Sequence, residues 1–233
     1  SGTLPIVGSP ITMNGSLSIG TMTLTRGVND PGSSQTKEIG TKGYIFTAIR
    51  ATAGSAEDVS LKWVSFNQSG SAAATDLKNI IFNVDGTDYP TTISSDGKYY
   101  TATFNDNAGK GILIDKGFSK EMTIKGDIVG GSGRTVDFDV AKRTDIGLVG
   151  ENYGYGITPP QTGATDPTDD TAAFSSTEDP WYDAAQVTVT TGTIAISSAT
   201  SVSAQNIAVN LANQPLGGFT VDVKGEAISV GRI

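Results

Sequence analysis

The sequence contains no cysteine and no histidine. Those two absences remove the Ser-His-Asp and Cys-His nucleophile systems, histidine general bases, Cys/His zinc sites, haem ligation by either residue and iron–sulfur clusters. They also remove disulfides, so stability has to come from packing or from bound ions, and no disulfide framework speaks for secretion. Basic charge is short as well: 16 Lys and Arg stand against 24 Asp and Glu, which argues against a protein that tracks nucleic-acid phosphates. No apolar run approaches the roughly 18 residues of a membrane span, and no charged-then-apolar leader opens the chain at Ser1, so a mature or fragmentary start without a membrane span is expected.

What the chain does have is glycine, serine and threonine, at 29, 22 and 30 of 233 residues. Apolar residues still make up 37%, and they fall into alternating runs, which is a folding pattern and not a disordered one. Ser16–Ile19, Met22–Thr25, Tyr44–Ala51, Val59–Phe66 and Asn79–Val84 each read with period two, as half-buried strands do. Thr91–Ile93, Tyr99–Phe104, Gly111–Ile114, Met122–Val129 and Thr135–Val140 follow in the same style. Asp85-Gly86, Asp96-Gly97, Asn107-Ala108-Gly109 and Gly130–Gly133 supply turns between them. The best helical candidates, 72–78 and 175–185, are short and lack a convincing apolar stripe. The pattern predicts an all-β protein, an antiparallel β-sandwich with Greek-key connections. Trp63, on an alternating strand, reads as core.

The texture changes after Val149. Residues 151–186 carry four prolines, sparse alternation and a run of acidic residues, and they read as an acidic connection. Charge is distributed accordingly: residues 1–143 hold 14 acidic and 14 basic residues, whereas 144–223 hold nine acidic residues and no Lys or Arg. Hard cations such as calcium take oxygen ligands from flexible acidic loops, which makes Asp166, Asp169, Asp170, Glu178, Asp179 and Asp183 candidate metal ligands; a solvated, self-repelling linker is the competing reading. No cofactor is required by the sequence. Trp181 and Tyr182 could stack on a sugar ring or pin the connection to the sandwich. Paired carboxylates for glycoside hydrolysis are the one common catalytic apparatus the composition still permits. Most acidic residues sit in turns or, like Asp137 and Asp139, on the expected solvent phase of strands, so no enzyme is expected.

The tail repeats the head. Gly43–Ala53 lies ungapped on Gly217–Ala227, Val59–Val64 matches Ile228–Ile233, and Gly15–Ile19 resembles Gly192–Ile196. The expected organisation is an N-terminal extension or edge strand (1–14), a sandwich (15–150), the connection (151–186) and a partial second module (187–233). Four strands cannot close a sandwich, so the second module would be the start of a longer protein or would be completed by another chain. Leu4, Ile6, Val7, Ile11 and Met13 are candidate assembly residues, on a donated strand or on the first edge strand.

Lys120–Val129 followed by Gly133–Asp139, and Asp145–Val149 leading to Tyr153–Thr158, resemble the late strands of large Ig-like repeat proteins on bacterial surfaces. These are S-layer or adhesin-type proteins, notably the long repetitive ones of small-genome candidate-phylum bacteria. The resemblance implies that the sandwich is Ig-like, and it implies an extracellular structural role at the cell surface, often with calcium in the lattice. The implied partners are copies of the same chain, neighbouring modules or a cell-surface glycan. A carbohydrate-binding adhesin module and a donor-strand-polymerised fimbrial subunit are the alternatives.

Overall fold

Strands form over most of the alternating runs because each can bury one face while its other face, rich in Thr and Ser, meets water. Ser16–Ile19, expected as a strand, is not one, and the first strand begins at Met22. The computed structural model describes residues 15–163, 171–177, 179–225, 227–229 and 231–232. Within the first 130 residues the strands are β1 (Met22–Arg26), β2 (Gln35–Glu38), β3 (Tyr44–Ala53), β4 (Val59–Gln68), β5 (Leu77–Val84), β6 (Thr87–Pro90), β7 (Thr92–Ile93), β8 (Tyr99–Thr103), β9 (Ile112–Ile114) and β10 (Ser119–Ile128). There follow β11 (Thr135–Val136), β12 (Phe138–Asp139), β13 (Ile146–Gly150), β14 (Gly156–Ile157), β15 (Ala173–Phe174), β16 (Tyr182–Asp183), β17 (Val187–Thr190), β18 (Thr193–Ser198) and β19 (Phe219–Lys224). The protein is nearly all β, as expected. Among the described residues neither helical candidate is an α-helix: 72–78 contains one 3-10 turn, Ala74–Asp76, and 175–185 contains β16.

One layer is the antiparallel sheet β1-β3-β10-β5-β6; the second runs β14-β13-β4-β8-β7. Strand β4 is the hub of the second layer. Along one side it pairs β13 and then β12, and along the other β9 and then β8. Aromatic rings join the layers: Phe46 meets Phe138 at 5.2 Å between centroids, and Phe66 meets Phe82 at 5.8 Å. Phe46, Phe66, Phe82 and Phe138 are all fully buried. The Asp85-Gly86 turn is as the sequence dictates, with φ of +46° and +90° and Val84 facing Thr87 across the β5–β6 hairpin.

Three details depart from expectation. Trp63 is only half-buried: a bulge after Leu61 turns it outward, opposite Gly147, where any Cβ would lie 2.2 Å from the indole Nε1. The indole covers that glycine instead of filling the core. The second departure is a third sheet, β11-β17-β2, in which β17 runs parallel to β2. Val187 and Val189 are 0% exposed. Strand β17 therefore belongs to the body, and the expected boundary at 186/187 falls inside it. Third, the connection does not hang free. Strand β14 pairs β13, the β15–β16 hairpin returns to Val140, and part of 151–186 is thereby folded onto the sandwich. Leu4, Ile6, Val7, Ile11 and Met13 lie outside the described residues.

The internal repeat has a structural counterpart with a different register. Strands β18 and β19 pair antiparallel, as β1 and β3 do. In β1–β3, Arg50 faces Thr25; in β18–β19, its repeat equivalent Lys224 faces Thr193. Thr193 aligns with Ser16 in the sequence match of the heads, so the tail repeats the strand pairing but not the residue alignment of that first strand.

Candidate functional site

The run Asp137-Phe138-Asp139 illustrates how period two positions chemistry. Phe138 points into the aromatic core, so the two aspartates share the opposite face. That face is not solvent. The chain returns some forty residues later and lays β16 against it, through a bridge between Val140 and Tyr182. Val140 N–H donates to Tyr182 O at 3.0 Å, and Tyr182 N–H donates back to Val140 O at 3.0 Å. Asp183 is thereby brought beside the pair. Asp137, Asp139 and Asp183 are 2%, 3% and 5% exposed, and each offers a carboxylate oxygen within 4.8 Å of the other two.

Hydrogen bonds hold this cluster in place. Asp139 Oδ1 accepts the Ala184 N–H at 2.8 Å, and its Oδ2 accepts the Ser69 hydroxyl at 2.5 Å. Asn67 stands opposite Asp139 across the β4–β12 pair, on the same face. Chemically, three convergent carboxylates form a hard-oxygen set of the type that holds divalent cations, and calcium takes about six to eight such oxygens in all.

Of the six expected metal ligands, Asp179 and Asp183 are among the described residues, and of these two Asp183 enters the cluster. Asp179 is exposed, with its N–H donating to Ala141 O at 3.2 Å, and Asp166, Asp169, Asp170 and Glu178 lie outside the described residues. Asp137 and Asp139 escaped the sequence reading because alternation separates two faces without saying which one is covered later. The available signal was the spacing itself: an Asp-x-Asp pair on one strand face, and a Trp-Tyr-Asp segment able to return to it.

Trp181 and Tyr182 are 1% and 0% exposed. Neither ring offers a face to a sugar, which corrects the stacking expectation. They pin the connection to the sandwich. Phe174 packs on both, at 5.0 Å and 4.6 Å between centroids. The Tyr182 hydroxyl donates to Asp30 Oδ2 at 2.9 Å, and the same carboxylate accepts the N–H groups of Ala48 and Gly32. Burial, and then the Asp30 charge, raise the Tyr182 pKa far above its usual value. Tyr44 is pushed up to about 12 by the same two causes in the same order.

A further buried carboxylate was not singled out by sequence. Glu57, in the β3–β4 connection, is 1% exposed. Its Oε1 accepts the Gly20 N–H at 2.6 Å and its Oε2 the Asn152 N–H at 2.7 Å. It clamps the approach to β1 and the turn after β13 onto one spot. Next to it, Glu151 accepts the Ser60 hydroxyl and pairs with Lys110 at 2.9 Å, and these contacts, the hydroxyl foremost, hold its carboxyl below the usual range.

Comparison with known proteins adds no identity to this geometry: no family model matches the chain, and no curated protein matches it either.

Proposed function

We propose that this chain is a structural, non-catalytic module of an extracellular surface-layer or filament-forming protein, one that packs against copies of itself or against neighbouring modules. One observation carries the reading. Half of the exposed large apolar side chains among the described residues lie C-terminal to Thr190, while the sandwich before them is closed over its own aromatic core. Concentrated apolar exposure of this kind marks a protein–protein contact surface. The resemblance of Lys120–Asp139 and Asp145–Thr158 to strands of bacterial surface-repeat proteins supports the extracellular setting.

Sedimentation and negative-stain electron microscopy of the full chain test the proposal, with and without calcium and with soluble glycans. The expected result is concentration-dependent assembly that glycans do not alter, with thermal stabilisation when calcium is present. A chain that stays monomeric at every concentration and binds a glycan overturns it in favour of an adhesin module.

A further inference from the structure

The exposed edge of β18 offers a specific contact, and the inference drawn from it rests on the self-assembly reading above. Sheets present unpaired N–H and C=O groups at their edges, and folded proteins guard those edges with charge, proline or brevity. Most edges of this molecule follow that rule. Strand β1 ends in Arg26, β2 carries Lys37 and Glu38, β6 carries Asp88 and Pro90, and β19 carries Asp222 and Lys224. Strands β7, β11, β14, β15 and β16 are two residues long. Strand β18, Thr-Ile-Ala-Ile-Ser-Ser, is six residues long, uncharged, free of proline and exposed along its whole length. Among the described residues only β19 pairs with it.

Its pattern is self-complementary. In β18–β19, Ile194 faces Val223, Ile196 faces Val221 and Ser198 faces Phe219, so one face of the hairpin is apolar and the other carries Thr193, Ala195, Asp222 and Lys224. An antiparallel pairing of two β18 strands about Ala195 sets Ile194 opposite Ile196 of the second copy, Ala195 opposite Ala195 and Thr193 opposite Ser197. Apolar then meets apolar, and no charge meets another. Pairing two β19 strands about Asp222 would instead set two carboxylates opposite each other, which is unfavourable. A two-stranded hairpin is marginal in water, whereas four strands with one apolar face are in the stable range.

Residues 4–13 fit this edge poorly as an alternative occupant. Pro5 and Pro10 are an odd number of positions apart, so an extended strand turns one to each side, and whichever side meets β18 lacks an N–H for the ladder.

We propose that two copies of this chain join through β18, antiparallel about Ala195, into the four-stranded sheet β19-β18-β18-β19. The cysteine-free sequence makes the test clean. Ala195→Cys places two thiols directly opposite each other, at about 4.5–5.5 Å between Cα atoms, within disulfide reach. Asp222→Cys places them about 14 Å apart, three strand spacings away. Rapid oxidative dimerisation of the first, at least about tenfold faster than the second, is expected. In unmodified chain, sedimentation should show a dimer, and Ala195→Lys should raise its dissociation constant about tenfold by opposing two ammonium groups. Equal cross-linking rates, with assembly intact in Ala195→Lys, overturn this edge contact while leaving self-assembly standing. A monomeric parent at all concentrations overturns both.

Discussion

The sandwich and the terminal hairpin are made of the same kind of strand, yet they are held in opposite ways. Ile49 of β3 and Val223 of β19 are equivalent in the internal repeat; the first is 0% exposed and the second 42%. Alternation is thus sufficient to form a strand pair but not to bury it. In the body, β3 is flanked by β1 and β10 and covered by the second layer, whereas β19 has β18 alone among the described residues. Burial comes from the later strands that return to cover a face, and among the described residues no such strand returns to cover the hairpin.

Several measurements sharpen or break this contrast. The largest effect is expected at Phe138, which is fully buried and contacts both Phe46 and Tyr100. Phe138→Ala should cost about 3–5 kcal/mol in urea unfolding. Phe219→Ala, at a position 46% exposed, should stay within about 0.5 kcal/mol in the monomer. Comparable losses at the two sites would show the hairpin to be as well packed as the body. Next comes the Glu57 clamp: Glu57→Ala leaves the Gly20 and Asn152 N–H groups without their charged acceptor, and about 2–3 kcal/mol should be lost in the same melts. Tyr182→Phe removes the hydroxyl that donates to Asp30 and should cost about 1 kcal/mol.

A pH titration addresses the same latch. Tyr44 and Tyr182 have folded pKa values raised above the ordinary 10, so the folded state retains their protons more tightly. The associated stability is present below pH 10 and is lost as pH rises toward 12 and beyond. Thermal melts across that range should show a falling midpoint, and Tyr44→Phe with Tyr182→Phe should flatten the slope. An unchanged slope would place the alkaline sensitivity outside the latch. The smallest effect concerns dynamics alone. Hydrogen exchange should find β18 and β19 amides in the monomer far less protected than those of β3 and β10, and equal protection would erase the distinction between the two regions.

Much of the sandwich is legible in the sequence because its cause is local. Asp85-Gly86 fixes a tight hairpin through two positive φ angles, and Val59–Phe66 alternates as a strand wherever it is placed. The failures have a common physical origin in contacts remote along the chain. Asp137 and Asp139 look solvent-facing until β16 arrives, and β17 looks like the opening of a new module until β2 is found beside it. Trp63 was misplaced by a bulge, which shifts the phase of alternation within a single strand. The candidate site was the least legible part, because one of its three carboxylates lies more than forty residues from the other two.

Strand β4 also sets a timetable. Its ten residues are complete by Gln68, but its partners β8, β9, β12 and β13 emerge one after another, the last at residues 146–150. Asp183 and the aromatic latch come later still. A chain leaving a ribosome at roughly 5–20 residues per second therefore carries a ten-residue strand with incomplete edges for several seconds before it is enclosed. Pairings this distant along the chain also fold slowly, on the millisecond-to-second scale of all-β proteins. Between its own synthesis and that of β13, strand β4 lacks part of the pairing it has in the folded protein.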